Sequence, residues 1–122
     1  MKTIFAVDDS ATARASIQYT LKREGFNVEL AVDGVDALNK ISKYSGDIDV
    51  FLFDVNMPNM DGITLIKEVR KLNNHKFTPI LFLTTESQES KKMEGKAAGA
   101  SGWIVKPFEP DVFVNIIKRF TT

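Results

Sequence analysis

Residues 50–54 are Val50-Phe51-Leu52-Phe53-Asp54, an apolar run that ends at a carboxylate. A short continuous apolar run is typical of a strand that is covered on both faces, as in a parallel sheet. The same layout recurs at residues 4–7, 80–83 and 103–105, each followed by a polar side chain. These runs therefore predict buried strands of one parallel sheet.

Residues 28–32 differ from the other strand candidates, because apolar and polar side chains alternate there. Alternation is typical of an edge strand with one face partly exposed to water. Amphipathic stretches separate the strands, with apolar residues every three or four positions, the period of a helix. The residues that mark these helices are Ala13, Ile17 and Leu21; Leu38 and Ile41; Leu65, Ile66, Val69 and Leu72; and Val112, Phe113, Ile116, Ile117 and Phe120.

Local signals predict where helices begin and end. Gly25 is expected just after the first helix, where left-handed backbone favours glycine, and Asp33 is expected to cap the second. Residues 87–98 are predicted to form a weak, mobile helix, because their apolar face is thin and Gly95 lies inside it. His75 lies in a polar stretch and is expected to be a solvated loop residue.

The alternation of strands and helices predicts an α/β fold. Five strand–helix units would form a five-stranded parallel sheet, doubly wound, with helices on both faces. The chain has 122 residues, of which 43% are hydrophobic and 26% charged, as is usual for a globular domain. Because neither a repeat nor a linker divides it, we expect one domain over residues 1–122.

The composition excludes several classes of function. Sixteen basic residues balance sixteen acidic ones, which leaves no basic footprint for DNA. The chain has no cysteine and a single histidine, so thiolate chemistry, iron–sulfur clusters and multi-histidine metal sites are excluded. It shows neither a signal peptide nor an apolar stretch long enough to span a bilayer. We therefore expect a cytoplasmic protein that does not insert into membranes.

Polar side chains follow the apolar runs. They are Asp8 and Asp9 after the first run, Asp54 after the second, Thr84 and Thr85 after the third, and Lys106 after the fourth. Any one of them alone is more often a turn or cap residue. Together they would lie at the carboxyl ends of parallel strands, the edge where open α/β sheets bind ligands. We therefore predict one crevice that holds three carboxylates, hydroxyls and an ammonium group.

The side chains of this crevice indicate its chemistry. Three neighbouring carboxylates repel one another, and a divalent cation removes the conflict. All-oxygen ligation favours Mg²⁺ or Mn²⁺ over zinc. Lys106, across the crevice, can meet a phosphoryl oxygen as a point charge. Carboxylates, a cation, a lysine and a hydroxyl together indicate phosphoryl transfer.

Four motifs in this order resemble the receiver domains of bacterial two-component response regulators. They are Asp8-Asp9, residues 53–62 (Phe-Asp-Val-Asn-Met-Pro-Asn-Met-Asp-Gly), Thr84, and Lys106-Pro107-Phe108. The resemblance covers essentially the whole chain and is greatest to the CheY-like single-domain regulators of chemotaxis. It implies the flavodoxin-like strand order 2-1-3-4-5. It also implies a phosphorylation-switched signalling module, whose own chemistry is limited to Mg²⁺-dependent self-phosphotransfer and autodephosphorylation, rather than an enzyme.

The resemblance implies a role for each residue of the crevice. Asp54 would be the phosphoacceptor, and Asp9 and Asp54 would ligate Mg²⁺ directly. The backbone carbonyl of Asn56 would be a third ligand, whereas Asp8 would act mainly through metal-bound water. Lys106 would contact the phosphoryl group.

The same resemblance implies which residues would move on phosphorylation and which partners the protein would bind. The Thr84 hydroxyl would move to a phosphoryl oxygen, and the peptide bond before Pro107 would be cis. Trp103 occupies the position of the switch aromatic, although a fixed hydrophobic anchor for a partner is an equal alternative. The implied partners are a sensor histidine kinase and a downstream protein target, of which the flagellar motor switch is one candidate.

Other functions are open at this point. A single-domain receiver can also serve in a phosphorelay or as a phosphate sink. A small Mg²⁺-dependent phosphatase with an aspartyl nucleophile belongs to another class, but Asp8 and Asp9 are adjacent and lack the Asp-x-Asp spacing of such enzymes. A flavodoxin-like redox carrier is disfavoured, because the same two carboxylates would repel a flavin phosphate.

Overall fold

The computed structural model describes residues 1–85 and 89–121. Its strands form one parallel sheet of five, in the order β2-β1-β3-β4-β5, which confirms the predicted α/β fold. The strands are β1 (Thr3–Val7), β2 (Asn27–Ala31), β3 (Val50–Asp54), β4 (Ile80–Thr85) and β5 (Gly102–Lys106). The helices are α1 (Ala11–Arg23), α2 (Gly34–Lys43), α3 (Gly62–Arg70), α4 (Glu89–Ala98) and α5 (Pro110–Thr121), with a short 3₁₀ turn at Asn73–His75.

The sheet divides the core in two, because successive side chains of a strand point to opposite faces. One face is mainly aromatic and packs against α2 and α3. The other is mainly aliphatic and packs against α1 and α5. The strand residues include Phe5, Phe51, Phe53 and Phe82 on the first face, and Ile4, Leu52, Leu81 and Leu83 on the second. Both faces are covered, which explains the continuous apolar runs.

β2 and β5 are the two edges of the sheet. The alternating pattern of residues 28–32 predicts an edge strand, and β2 confirms it, beginning at Asn27. The run at residues 103–105 predicts a strand covered on both faces, which is wrong for β5. Ile104 is the buried residue of that run, while Trp103 is 37% exposed, because the helices cover this edge strand incompletely.

The predicted helix ends are confirmed at α1 and α2. After α1, Gly25 has a φ of +91°, and its N–H donates to the Lys22 carbonyl oxygen at 3.0 Å, as in a glycine-terminated helix. Asp33 caps α2, since its carboxylate accepts a hydrogen bond from the N–H of Asp36. None of the helices within residues 1–85 and 89–121 has the length and apolar character needed to cross a bilayer.

α4 packs closely on the sheet through a glycine. It begins at Glu89, so the first residues of the helix predicted over 87–98 lie outside the described part of the chain. Gly95 is buried and faces the ring of Phe82, and a Cβ at this position would overlap ring atoms. Gly95 therefore has a packing role that its low helix propensity does not indicate. The mobility of α4 stays a prediction.

The loop between α3 and β4 is folded onto the protein, and the expectation of a solvated His75 is wrong. His75 is 5% exposed, its ring meets that of Phe51 edge-on at a centroid distance of 5.0 Å, and its Nδ1 lies 3.0 Å from the Thr78 hydroxyl oxygen. Arg70 holds this loop, because its guanidinium donates to the backbone carbonyls of His75 and Gly99. Burial lowers the pKa of His75, and the nearby positive charge of Arg70 lowers it further.

Candidate functional site

The predicted site residues lie at the carboxyl edge of the sheet. Asp8 directly follows β1, Asp54 is the last residue of β3, and Lys106 is the last residue of β5. Thr84 lies inside β4, which extends beyond its apolar run. The register pairs Asp54 with Leu83, the neighbour of Thr84 in the chain. The strand order therefore brings together polar groups that are far apart in the sequence.

Three carboxylates meet at this edge. Asp8, Asp9 and Asp54 each place one oxygen atom so that the three atoms lie within 4.8 Å of one another. Asp8 and Asp54 are buried, whereas Asp9 is exposed to solvent. Oxygen atoms at this spacing suit a hard divalent cation such as Mg²⁺. Among the described residues, the cluster includes neither histidine nor cysteine, so the donor set fits the cation that the sequence predicts.

Lys106 lies against two of these carboxylates. Its Nζ is 3.1 Å from Oδ2 of Asp8 and 3.4 Å from Oδ1 of Asp54. Burial alone would lower the pKa of Lys106, but Asp54 and Asp8 outweigh burial and raise that pKa. The lysine is therefore held as a cation beside Asp54, where it can neutralise an added anionic group.

Asp54 is a buried carboxyl group whose pKa is shifted by its surroundings. Burial raises its pKa from 3.8 to about 6, with Lys106 opposing and Asp8 and Asp9 reinforcing the rise. A charged Asp54 is thus costly in the absence of a cation, because Lys106 offsets the effects of burial and of the neighbouring carboxylates only in part. Added positive charge at this position relieves that cost.

Asp8 is oriented by hydrogen bonds from α1 and the turn before it. Its Oδ1 accepts from the N–H of Ser10 at 3.0 Å, and its backbone carbonyl accepts from Nη1 of Arg14 at 2.7 Å. Ser10 also caps α1, since its Oγ accepts from the N–H of Ala13 at 3.2 Å. The aspartates are therefore not needed as helix caps. The contact of Arg14 with the Asp8 carbonyl was not predicted, because no sequence motif ties a lysine or arginine on a helix to one particular carbonyl.

Thr84 and Trp103 lie on the neighbouring strands β4 and β5. Thr84 is 1% exposed, and its hydroxyl donates to the Thr85 carbonyl oxygen at 3.3 Å. The ring of Trp103 lies 6.2 Å from that of Phe82, which points to the same face of β4 as Thr84 because the two are separated by one residue. Nζ of Lys96 lies 5.5 Å from the Trp103 ring centroid, so α4 covers part of this ring.

Two more predicted features lie beside the cluster. The peptide bond between Lys106 and Pro107 is cis, as expected. Asn56, the predicted carbonyl ligand, is exposed and lies two residues beyond the end of β3. Its loop leads to Gly62, whose N–H donates to the carbonyl oxygen of Val55 at 3.0 Å.

Known proteins match both the sequence and the fold. A model of the response regulator receiver domain matches residues 4–118. Chemotaxis protein CheY1 of Helicobacter pylori is 40% identical over 110 residues, which are 89% of this chain and 88% of that protein. The structure of chemotaxis protein CheY4 of Vibrio cholerae is 48% identical, with a TM-score of 0.92 over 98% of each chain.

A more distant structure contains a metal ion. The receiver domain of sensor histidine kinase PA1611 of Pseudomonas aeruginosa holds a coordinated magnesium ion in its active-site cleft. It is 26% identical to this chain, with a TM-score of 0.88 over 98% of this chain and 97% of that one. Other relatives are longer: this chain spans 14% of a sensor histidine kinase of H. pylori and 54% of a probable transcriptional regulator of Porphyra purpurea.

The parallel sheet, the acidic cluster at its carboxyl edge and the lysine beside it define a phosphoryl-accepting signalling domain. The chain belongs to the response regulator receiver domain family. Its relatives include the CheY proteins of chemotaxis.

Proposed function

We propose that Asp54 accepts a phosphoryl group from a phosphohistidine of a sensor histidine kinase, and that the modified protein signals through contact with another protein. One observation carries this proposal. Asp54 is a buried carboxylate that shares its cluster with Asp8 and Asp9 and lies 3.4 Å from Nζ of Lys106. This arrangement presents a nucleophile and a positive charge to the same incoming group.

The transfer exchanges one bond for another. A carboxylate oxygen of Asp54 forms a bond to phosphorus while the phosphorus–nitrogen bond of the donor breaks, and the donor imidazole keeps the electron pair and takes up a proton. Lys106 meets a phosphoryl oxygen as the charge of the group passes to this chain. The hydroxyl of Thr84 donates to another phosphoryl oxygen. With a pKa of about 6, Asp54 is mostly a carboxylate at pH 7, the state that attack requires.

The proposed metal site uses the acidic cluster. Asp9 and Asp54 would ligate Mg²⁺ or Mn²⁺ directly, the backbone carbonyl of Asn56 would be a third ligand, and Asp8 would act through bound water. When bound, the cation supplies positive charge to the phosphoryl oxygens. The closeness of the carboxylate oxygens, within 4.8 Å, and the magnesium ion in the PA1611 receiver support this assignment.

The proposed output is a protein contact in the cytoplasm, where ATP-dependent histidine kinases are phosphorylated. The likeness to CheY1 and CheY4 supports a role in chemotaxis, with a flagellar motor switch as one target. Service in a phosphorelay or as a phosphate sink is the alternative. In either role, we propose that the chain does not bind DNA or insert into a membrane, and that its phosphoryl chemistry stops at self-phosphotransfer and autodephosphorylation.

Phosphotransfer and a pull-down test the proposal. The protein is incubated with a phosphorylated histidine kinase domain and Mg²⁺, and mass spectrometry is expected to find one phosphoryl group, on Asp54. Capture of a specific partner is expected to differ with and without beryllofluoride, a phosphoryl mimic. Absence of the label would contradict the proposal. Steady hydrolysis of an external phosphate ester would instead support the phosphatase alternative.

Mg²⁺ is expected to stabilise the folded protein, because the unfolded chain cannot bring the carboxylates together. At a Mg²⁺ concentration about ten times Kd, the free energy of unfolding should rise by about 1.4 kcal/mol. Asp9→Asn should weaken this effect, since it removes a charged ligand. Thermal unfolding of the wild type and of Asp9→Asn, each with EDTA and with Mg²⁺, measures the stabilisation in each protein. Asp47→Asn is the control, because it changes an exposed carboxylate. A melting temperature that does not respond to Mg²⁺ would contradict the metal site.

Trp103 fluorescence is expected to change when beryllofluoride and Mg²⁺ bind together. Trp103 is the single tryptophan, so the signal reports one position, on the strand next to Thr84. Thr84→Ala should abolish most of the response yet still permit phosphorylation, because Lys106 and Mg²⁺ provide most of the charge stabilisation. Mg²⁺ alone is the control for direct quenching. If acrylamide quenches both states equally, Trp103 is a fixed surface anchor and not a switch.

A further inference from the structure

The loop that carries Asn56 is fastened to the N-terminus of α2 by a side-chain hydrogen bond. Nδ2 of Asn59 donates to Oδ2 of Asp33 at 2.9 Å. Asn59 has a φ of +69°, a left-handed conformation that asparagine tolerates better than most residues. This backbone turn directs a side chain of the loop after β3 toward a residue of the loop after β2.

Asp33 uses both of its carboxylate oxygens. While Oδ2 accepts from Asn59, Oδ1 accepts from the N–H of Asp36 at 2.8 Å and so caps α2. The hydrogen bond from Asp36 lowers the pKa of Asp33 most, and the hydrogen bond from Asn59 lowers it further. Both effects are expected, because hydrogen bonds to a carboxylate favour its charged form. Asp33 therefore joins a rigid helix end to the loop.

An apolar contact reinforces the same junction. Met60, next to Asn59, lies on Gly34, the first residue of α2. A Cβ at Gly34 would lie only 2.7 Å from Cβ of Met60, so the close approach depends on glycine. The loop is thus held against α2 by a hydrogen bond and by packing at consecutive residues.

We propose that Asp33 and Asn59 form a latch that positions the Asn56 carbonyl for the cation, which makes Asp33 a positioning residue of the metal site. The inference rests on the proposed function, because that proposal assigns Asn56 as a ligand. A backbone carbonyl is placed only as well as its loop, and only two residues lie between Asn56 and Asn59 along the chain. Partners that orient metal ligands in this way commonly affect metal affinity.

The test compares two single variants and their combination. Asp33→Ser retains a side chain that can cap α2 but is too short to reach Asn59. Asn59→Gly removes the amide, tolerates the positive φ and changes no charge. Asp61→Ser is the matched control, because Asp61 caps α3 at the other end of the same loop and the substitution removes the same charge. Isothermal titration of each metal-free protein gives the Kd for Mg²⁺, and urea unfolding with EDTA gives the stability.

Each single variant is expected to bind Mg²⁺ about three- to tenfold more weakly than the wild type, the range expected from the loss of one hydrogen bond. The double variant should bind no more weakly than the weaker single variant, because either substitution opens the same latch. Asp61→Ser should stay within about twofold of the wild type in Mg²⁺ affinity, and its stability should change little, because serine caps a helix about as well as aspartate.

Two results would overturn the latch while leaving the proposed function intact. One is wild-type Mg²⁺ affinity in both single variants. The other is a double variant whose loss is the product of the single losses, since that indicates independent effects. A wild-type protein that does not bind Mg²⁺ would overturn the proposed metal site and the latch together.

Discussion

An Asp54→Asn variant is expected to accept no phosphoryl group from acetyl phosphate and yet to unfold at a higher urea concentration than the metal-free wild type. The loss of phosphorylation follows because an amide at this position lacks the nucleophilic oxygen. The gain in stability follows from the environment of the carboxylate. Asp54 is buried among Asp8 and Asp9, and its pKa is raised to about 6.

The pH dependence of the free energy of unfolding tests whether the raised pKa of Asp54 causes this gain in stability. A carboxyl group whose pKa is raised from 3.8 to about 6 by folding contributes stability that is fully present below the lower value and is lost as the pH rises through the higher one. At pH 7 the metal-free wild type has lost this contribution. Replacing Asp54 by asparagine should therefore add about 1–2 kcal/mol at pH 7 and remove the corresponding pH dependence, allowing for the lost contact with Lys106.

Intact-mass spectrometry measures the phosphoryl group, and urea unfolding with EDTA at pH 5 and pH 7 measures the stability. Asp47→Asn is the control, because this carboxylate is exposed and its replacement should change neither quantity. A label that persists in Asp54→Asn would move the phosphoacceptor to another residue. A variant less stable than the wild type at pH 7 would show that the contact between Asp54 and Lys106 outweighs burial and repulsion.

A Gly62→Ala variant is expected to lose about 3 kcal/mol of stability and most of its affinity for Mg²⁺. Gly62 is buried at the start of α3, and a Cβ there would overlap the backbone carbonyl oxygen of Asp54. Backbone cannot rotate away as a side chain can, so α3 or the end of β3 must shift. Either movement displaces Asp54 relative to Lys106 and Asp8, and so disturbs the cluster as well as the packing.

Gly102→Ala is the matched control for that variant. A Cβ at Gly102 would lie 3.4 Å from Cδ2 of Leu81, an ordinary van der Waals contact. The free energy of unfolding of Gly102→Ala should therefore differ from that of the wild type by less than about 1 kcal/mol. Urea unfolding of the metal-free proteins and Mg²⁺ titration give the two quantities. Wild-type stability and affinity in Gly62→Ala would mean that α3 can move away from Asp54 at little cost.

Several features were predictable because local chemistry alone decides them. The apolar runs identify the strands, since a strand covered on both faces has no polar position. Gly25 and Asp33 mark helix ends, since left-handed backbone and unpaired N–H groups favour those residue types wherever they occur. The clustering of Asp8, Asp54 and Lys106 was also predictable, because carboxyl ends of parallel strands lie at one edge.

Other features depend on which segments become neighbours. His75 looks solvated in a polar stretch, but Arg70 draws its loop onto the Phe51 ring through carbonyls that a sequence pattern does not indicate. Gly95 looks like a weak point in α4, but the ring of Phe82 takes the space of its missing Cβ. In both cases the aromatic ring that packs against the residue is distant from it in the sequence.

Residue types and their spacing were enough to predict the class of fold and the polar residues at the strand ends, because they express burial and charge directly. How these groups are held depends on contacts between segments that are distant in the sequence. Asp33 illustrates the difference. Its capping of α2 is local and was predicted. Its hydrogen bond to Asn59 instead joins the loops that follow β2 and β3, two strands that are separated in the sheet by β1, and a local sequence pattern does not indicate such a contact.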